Sequence, residues 1–509
     1  MTPTAHVEIE VKYEAPDSLE MPLLIGVEGI AVVEEPVEEY LEATYYDTPD
    51  LALARAKVTL RRRTGGDDEG WHLKLPRALN ERLELHRPLG KSAKVPPSLG
   101  ELVAVYGKRA RLAPVATLRT RRTVYRLFAT DGGPVAEVAD DHVEGEAADT
   151  ATSTWREIEV ESKGGNQALL ARIGEQLEVA GALPSEASSK LARVLAHRLG
   201  DPASERSSNG GDDDLTAGEL VRRHLAEQMA ALRALDPLVR RDFPDAVHKM
   251  RVTVRRLRSA LATYRRLLDK PVTEPVRGEL KWLGTMLGEV RDAEVIHARL
   301  RDMIDAQRPS LIVGPVRRRL DRTIGGEHRE AHRRCVSAMR GDRYFSLLDR
   351  LDEIAAGLAL GGKRVDRPAV AAVPKEISRS FDRLRNYVEA AEALRAAGQD
   401  DPLDDVLHEV RKAAKRVRYG AESAEPVAGK DAETTVEAMK ELQEVLGDHQ
   451  DTVVTGTVLR RLAVAAHAAG EDAFTWGRLH ALEEARHDHS GERYHSIIDD
   501  IATTPSWLR

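Results

Sequence analysis

The sequence is poor in the residues that would commit it to several common classes. Its 509 residues include a single cysteine, Cys335, which excludes an intramolecular disulfide and a cysteine zinc cluster and suits a reducing compartment. Cys335 itself is expected to be inert. Aromatic residues make up 4% of the chain, leaving few platforms on which nucleic-acid bases could stack. Cations do not outnumber acids: the net charge of -8 argues against bulk attraction to nucleic acid, and no specific nucleic-acid partner is expected. No apolar run approaches the roughly 20 residues that span a bilayer, and Met1 leads into charged Glu8, Glu10 and Lys12 rather than a signal-peptide core. The expectation is a soluble cytoplasmic protein with no membrane partner.

Apolar residues, at 42% of the chain, suffice for more than one core, and this length suggests about two to four domains. From Val7 to Val160 the informative segments alternate with period two, as in Val58-Thr-Leu-Arg-Arg-Arg63 and Trp155-Arg-Glu-Ile-Glu-Val-Glu161, which predicts antiparallel β structure. Helical interruptions are predicted around Gly100–Tyr106 and from Asn166 to Arg198. Residues 201–214 are small, polar and acidic, with nothing to bury, and read as a flexible linker. That boundary divides the chain into domains at 1–200 and 215–509. Beyond it, amphipathic patterns such as Leu220–Leu238 and Val247–Leu268 predict an all-α domain, interrupted between Gly361 and Pro368. The predicted fold class is α+β in two domains.

The helical half contains an internal repeat. Val247-His-Lys-Met-Arg-Val-Thr-Val-Arg-Arg-Leu-Arg258 matches Leu407-His-Glu-Val-Arg-Lys-Ala-Ala-Lys-Arg-Val-Arg418, and each copy is followed by a second shared piece, Leu287-Gly-Glu-Val-Arg-Asp292 and Leu446-Gly-Asp-His-Gln-Asp451. Two related helical bundles are expected. On a helix, His248, Arg251, Arg255 and Arg258 fall within an arc of roughly 80° at about 100° per residue. His408, Arg411, Lys415 and Arg418 repeat the arrangement. A basic solvated face is the ordinary reading of one such helix, but it has no reason to recur with its histidine in place.

In the β half, strand alternation puts Glu8, Glu10 and Lys12 on one face, and Glu157, Glu159 and Glu161 on one face of another segment. Carboxylates packed this densely repel one another, so a site joining both strands calls for a counter-cation. A hard divalent ion, Mg²⁺ or Mn²⁺, meets that need through oxygen ligands. Between the acidic strands lie Arg61 and Arg63 on one face, Lys74, and the cluster Arg119-Thr-Arg-Arg122. Guanidinium forks suit phosphate oxygens. Any one of these strands alone reads as a half-exposed sheet with its charges in water; the set together points to a polyanion held with its metal.

Glu8-Ile-Glu-Val-Lys12 resembles the ExExK signature of CYTH domains, the triphosphate tunnel metalloenzymes. The resemblance extends in order through Tyr45-Tyr-Asp-Thr-Pro-Asp50, Leu60-Arg-Arg-Arg63, the Lys74 strand, Glu157-Ile-Glu159 and Ser189-Lys-Leu191. It implies a closed antiparallel barrel with a polar interior and flanking helices. It also implies metal ligands at Glu8, Glu10, Glu157 and Glu159, with Asp140 added, and a triphosphate grip from Arg61, Arg63, Lys74, Arg122 and Lys190. Lys12 would sit by the metal and the reacting phosphate. The nucleophile would be a metal-bound water or one deprotonated by Lys12.

The helical half resembles CHAD, the conserved histidine α-helical domain, in both copies. The resemblance implies tandem four-helix bundles whose basic surface binds inorganic polyphosphate, with His248 and His408 binding phosphate rather than catalysing. Asp292 and Asp451 are as readily structural partners of the basic helices as metal ligands. His487 and His489 are expected in a loop or helix end with no site role.

The expected function is metal-dependent hydrolysis of inorganic tripolyphosphate, with the helical half binding polyphosphate and associating the protein with polyphosphate granules. Thiamine triphosphatase and class IV adenylyl cyclase remain rivals, as does a non-catalytic polyphosphate-binding scaffold. Few aromatics are available to wall a thiamine or adenine pocket.

Overall fold

Period-two alternation gives each charged strand one apolar face as well, and both faces must be accommodated when the strands assemble. In the computed structural model, which describes residues 4–78, 80–148, 150–200, 215–361, 364–486 and 504–508, the charged faces turn inward. The chain divides into two units, Met1–Ser208 and Asn209–Arg509. The expected linker at 201–214 lies outside the described residues, as do His487 and His489.

The first unit is an antiparallel barrel. Its strands are β1 (Thr4–Ala15), β2 (Val32–Val33), β3 (Val37–Asp47), β4 (Thr59–Thr64), β5 (Gly70–Ala78), β6 (Glu81–Arg87), β7 (Ala113–Phe128), β8 (Pro134–Ala147), β9 (Ser153–Ser162) and β10 (Leu183–Pro184). The order β1-β6-β5-β4-β3-β7-β8-β9 returns to β1 through a β1–β9 pairing and closes eight strands, while β2 and β10 add to the outside of the circuit. In that closure Lys12 is opposite Glu159 and Glu10 opposite Glu161.

The outward apolar residues of β1, β8 and β9 are covered. Tyr13, Val138, Ile158 and Val160 pack with Leu169, Leu170, Ile173 and Leu177 of the helix Gln167–Val179 in one core. Asn166 caps that helix by accepting from the Leu169 N–H at 2.9 Å, a partner for one of the amides a helix start leaves unbonded. The helix predicted over Asn166–Arg198 is broken into Gln167–Val179, Lys190–Val194 and Ala196–Leu199, with β10 between the first two.

The second unit is helical, as expected. One copy of the repeat runs through Ala217–Arg240, Ala246–Thr263, Lys270–Asp305 and Val316–Met339, with Asp342–Ala355 in addition. The other runs through Ala369–Ala396, the helical stretch Asp400–Ala468 and residues 474–486. Asp400–Ala468 is two helices meeting at Gly429, whose φ of 45° and ψ of -126° no helix contains. A core cluster draws on both copies: Leu300, Ile304, Leu320 and Ile324 pack with Leu459, Leu462, Trp476 and Leu479. Cys335 is buried, and burial pushes its thiol up to about 12, consistent with an inert side chain.

At Gly174 the covering helix lies tight against a side chain of β1: a Cβ there would stand 1.9 Å from the Tyr13 hydroxyl. Gly174→Ala should therefore destabilise the protein by about 1–3 kcal/mol through overpacking. Denaturant unfolding would measure this, and unchanged stability would mean that the helix can lift away from β1.

Candidate active site

The barrel interior holds a cavity of about 380 Å³ lined mostly by charged side chains. Glu8, Glu10 and Lys12 reach it from β1, Arg61 and Arg63 from β4, His72 and Lys74 from β5, Arg82 and Glu84 from β6, Arg122 from β7, and Glu159 from β9; Lys190 enters from below. Strand parity accounts for the choice. On β7, Arg122 faces inward while Arg119 and Arg121 stand on the exposed outer face, paired with Glu42 at 3.1 Å and Glu38 at 3.1 Å.

At one wall the acids converge. Asp141, Glu157 and Glu159 each offer an oxygen within 4.8 Å of the others'. Lys190 Nζ lies 2.9, 2.6 and 2.8 Å from Asp141, Glu157 and Glu159. Arg122 grips Asp141 with two bonds, Nε to Oδ1 at 2.7 Å and a terminal nitrogen to Oδ2 at 2.6 Å, and also donates to Glu159 at 2.8 Å. Lys12 pairs with Glu159 and with Glu10, the latter at 3.2 Å. Burial alone would raise the pKa of Glu159, but Lys12, Lys190 and Arg122 outweigh it and hold the carboxyl well below the ordinary range. Asp141 is lowered in the same way, with Arg122 and Lys190 overcoming burial. The reverse holds for Lys190, which the three acids keep well above the usual lysine value against burial.

Asp140, expected as a metal ligand, is not part of this wall. The neighbouring Asp141 is. Asp140 has the opposite parity and points out of the barrel, where both of its oxygens accept from Arg156 at 2.9 Å. Arg156 in turn donates to the carbonyls of Pro16, Asp17 and Leu19, so this pair fastens the segment after β1 to the outside of the sheet.

The opposite wall is basic. Arg61 has no carboxylate in ion-pair reach among the described residues; a terminal nitrogen donates to the Tyr45 hydroxyl at 3.3 Å, and its Nε has no partner. Arg63 pairs with Asp68 at the cavity mouth. Burial and the adjoining charges of Arg61 and Arg122 push Arg63 down to about 9, which leaves it charged at neutral pH. Lys74 bonds Glu8 at 2.6 Å and lies 3.7 Å from Glu84.

Glu84, Arg82 and His72 were not among the sequence-derived candidates. The signal is present in the sequence: Arg82, Glu84 and His86 alternate with Leu83 and Leu85 as regularly as the charges of β1 and β9 do. His72 places Nδ1 2.7 Å from Glu84 and Nε2 2.9 Å from the Asp68 carbonyl. Burial, reinforced by Arg61 and Arg63 and opposed by Glu84, takes its pKa down to about 3.

A divalent cation fits the donor set. Besides the carboxylates of Asp141, Glu157 and Glu159, the buried oxygens Glu8 Oε2 and Glu10 Oε1 have no hydrogen-bond donor. Glu157 Oε1 also lacks one: Lys190 is close enough to compensate its charge, but not along a bonding direction. Buried carboxylate oxygens without a donor are costly, and a hard cation is the group that would take them.

In the helical unit the two repeat helices meet. Arg251 and Arg255 of one copy lie in the field of Arg411 and Lys415 of the other. Burial, with Arg411, Arg255, Arg251 and Arg418 around it, pushes Lys415 down to about 7. Arg251 has an acid, Asp292, at 3.3 Å, and Arg255 donates to the Tyr419 hydroxyl at 3.3 Å. Among the described side chains no carboxylate is in ion-pair reach of Arg255, Arg411 or Lys415. His248 and His408 are both lowered, first by burial and then by cationic neighbours. Arg258 stands apart, answering to Arg277 and Arg416, and Arg418 is 3.4 Å from Glu422. In both copies the arginine lies over the glycine of the shared Leu-Gly dipeptide, Arg251 over Gly288 and Arg411 over Gly447; a Cβ at 447 would come within 2.9 Å of the guanidinium, whereas at 288 the distance, 3.7 Å, is an ordinary contact.

A family model described as CYTH domain matches residues 6–195, and one described as CHAD domain matches residues 223–460. The chain is 36% identical over 498 residues to Uncharacterized protein Rv2226 of Mycobacterium tuberculosis, covering 94% of this chain and 93% of that protein. Among solved structures it is similar to the CHAD domain from the plant Ricinus communis, at 24% identity over 58% of this chain and 96% of that one, with a TM-score of 0.44. It is also similar to HpAC1 from Hippeastrum, described as having a dominant triphosphatase activity, at 20% identity over 38% of this chain and 95% of that one, with a TM-score of 0.26. No helix among the described residues is long and apolar enough to cross a membrane. Matched along nearly its whole length by the mycobacterial protein and in each half by a family model, the chain belongs to that protein's family and consists of an N-terminal CYTH domain, of the triphosphate tunnel enzyme family, followed by a C-terminal CHAD domain.

Proposed function

We propose that the N-terminal domain hydrolyses inorganic tripolyphosphate to pyrophosphate and phosphate, and that the C-terminal domain binds inorganic polyphosphate. The observation that carries the first part is Arg61, a guanidinium inside a closed barrel with no carboxylate partner, facing a wall of carboxylates with oxygens left over. A pure anion binder gains nothing from the acids, and a pure cation binder gains nothing from the arginines. A metal–polyphosphate substrate satisfies both.

In this reading Arg61 and Arg63 hold the phosphate oxygens through paired, directional bonds. Lys74, released from Glu8, adds a third positive charge. Asp141, Glu157 and Glu159, with Glu8 and Glu10, would hold Mg²⁺ or Mn²⁺. That ion, when bound, supplies Lewis-acid polarisation of the phosphoryl oxygens and a water of lowered pKa. Lys12, paired with Glu10 and Glu159, is a charge stabiliser beside the reacting phosphate; to act as a base it would first have to leave both carboxylates. Arg122 and Lys190 keep the acidic wall ionised and aimed. Arg61, which has no carboxylate to leave among the described residues, favours the charge of the leaving pyrophosphate without reorganising, and such preorganised charge is the main source of catalysis in phosphoryl transfer.

The lining also favours an inorganic substrate over a nucleotide or thiamine ester. Among the described residues Tyr45 is the one Phe, Trp or Tyr on the cavity wall, and its ring is buried with its hydroxyl engaged by Arg61, so the lining offers a base little aromatic surface beyond three histidine rings. For the C-terminal domain, Arg251, Arg255, Arg411 and Lys415 form one basic cluster from two repeat copies, suited to a linear polyanion lying across both.

Phosphate release from tripolyphosphate, ATP and thiamine triphosphate with Mg²⁺ or Mn²⁺ tests the first part, and preference for ATP would transfer the reading to the nucleotide. Arg61→Lys should lower kcat roughly 100-fold, since a point charge cannot replace a directed fork; unchanged kinetics would remove Arg61 from the substrate site. Glu8→Gln should weaken metal dependence, read as a rise of about tenfold or more in the metal concentration giving half-maximal rate. An unaltered metal titration would place Glu8 outside the metal set.

For the second part, Ala at Arg251, Arg255, Arg411 and Lys415 together should abolish binding of long-chain polyphosphate while leaving tripolyphosphate turnover intact. Wild-type binding should fall steeply with salt, by analogy with counterion release from nucleic acids. Retained affinity in the quadruple variant would make the repeated helices a solvated surface.

A further inference from the structure

The cavity is open at one end only. Below Lys190, the helix Lys190–Val194 and Leu195 plug the barrel: Leu191, Val194 and Leu195 pack against Ala43, Ala116, Leu118, Val143 and Ala147 in one apolar cluster. A linear anion cannot thread through that floor. Whatever part of a phosphate chain the cavity does not hold must leave by the mouth.

The mouth carries acids where phosphate would pass. The turn between β4 and β5, Gly65-Gly-Asp-Asp-Glu69, sets Asp67 and Asp68 on the cavity lining, beside Glu39 and Glu137. Asp68 pairs with Arg63, and Asp67 lies 3.5 Å from Arg126. The rim cations are engaged already: Arg126 also faces Glu137 at 3.8 Å, and Lys163 faces Glu161 at 2.6 Å.

The turn is fixed in place. Gly65 and Gly66 have φ of 81° and 73°, and a Cβ on Gly65 would stand 2.1 Å from the Tyr40 carbonyl oxygen, so glycine alone permits this close approach to β3. On the other side, His86 Nε2 is 3.2 Å from the Glu69 carbonyl. Asp67 and Asp68 are thus held at the rim by backbone geometry as well as by their ion pairs.

We propose that Asp67 and Asp68 determine chain-length specificity, rejecting linear polyphosphates that extend beyond the blind cavity by setting fixed carboxylates against the protruding phosphates. This rests on the tripolyphosphatase reading above and adds what decides between short and longer members of the same substrate class. Like charges juxtaposed in this way discriminate among ligands without contributing to the binding of the favoured one.

The test compares kcat/KM for tripolyphosphate and linear tetrapolyphosphate in the full chain and in the double variant Asp67→Asn, Asp68→Asn. Both side chains are largely exposed, at 91% and 60%, and the amide has the same shape, so the fold should not suffer. The C-terminal domain is unchanged between the two proteins and cancels in the comparison. The variant should raise the tetrapolyphosphate-to-tripolyphosphate ratio by about tenfold, the scale of a like-charge contact relieved. Glu42→Gln, an exposed acid on the outer face of the barrel, should leave the ratio unchanged. An unchanged ratio in a double variant that still cleaves tripolyphosphate overturns the inference, as does an equal rise with Glu42→Gln. If the wild-type chain releases phosphate from neither substrate, the hydrolytic reading itself fails and this one falls with it.

Discussion

Closure of the barrel through β1 and β9 is the constraint on which the site depends. It sets Glu8-Ile-Glu-Val-Lys12 beside Glu157-Ile-Glu-Val-Glu161, two strands that would repel one another if their acids faced the same space unaided. Lys12, Lys190, Arg122 and Lys74 are drawn into that space, and each acid–base contact in the cavity follows from the need to balance it. The depressed pKa values of Glu10, Asp141 and Glu159 are the record of that balance: burial works against each carboxylate, and nearby ammonium and guanidinium groups prevail.

The balance is uneven across the lumen, and the unevenness carries the chemistry. At β1, Glu8 and Glu10 each keep an oxygen without a hydrogen-bond donor, Glu10 Oε1 having only Arg82 at 3.8 Å, and at β4 Arg61 is left with a phenol and the more distant charge of Glu84. A site built only for stability would bond these groups directly, because a buried polar atom without a hydrogen-bond partner is destabilising. Here they are kept apart on opposite walls of one cavity, and in the proposed reading a ligand with an anionic body and a bound cation would complete both. In the helical unit two basic helices face one another, and burial together with the charges of Arg411, Arg255, Arg251 and Arg418 lowers Lys415; in the proposed reading a polyanion would relieve that crowding.

Much of this was legible in the sequence. Period-two alternation located the strands bearing Glu8, Arg61, Lys74 and Glu157, and the duplicated His-x-x-Arg pattern located the paired helices. The misses have specific causes. Asp140 and Asp141 are adjacent acids in a strand, and only the register with β7 and β9 settles which one faces the lumen: Arg122 lies opposite Asp141, Asp141 opposite Glu157. The strand of Arg82 and Glu84 shows the same alternation, but a single strand with alternating charge reads alike whether its charged face meets a lumen or solvent. The break in the helix after Val179 was hidden because residues on both sides keep helical spacing.

The sequence by itself determined the elements, the order of acidic and basic strands, and the duplication in the helical half, since these depend on local periodicity and on residue identity. It did not determine which side of each strand would be inside. Val7 to Tyr13 has a charged face and an apolar face, and either could have met the solvent. The charged faces turn inward because the helix Gln167–Val179 covers the apolar faces of β1, β8 and β9, while the plug of Leu191, Val194 and Leu195 shuts one end. The contacts that tie β1 to the helix and β3 to the plug join residues more than a hundred positions apart. Burial on the outside of a closed sheet leaves its interior to the charges, and that is decided only when the barrel closes.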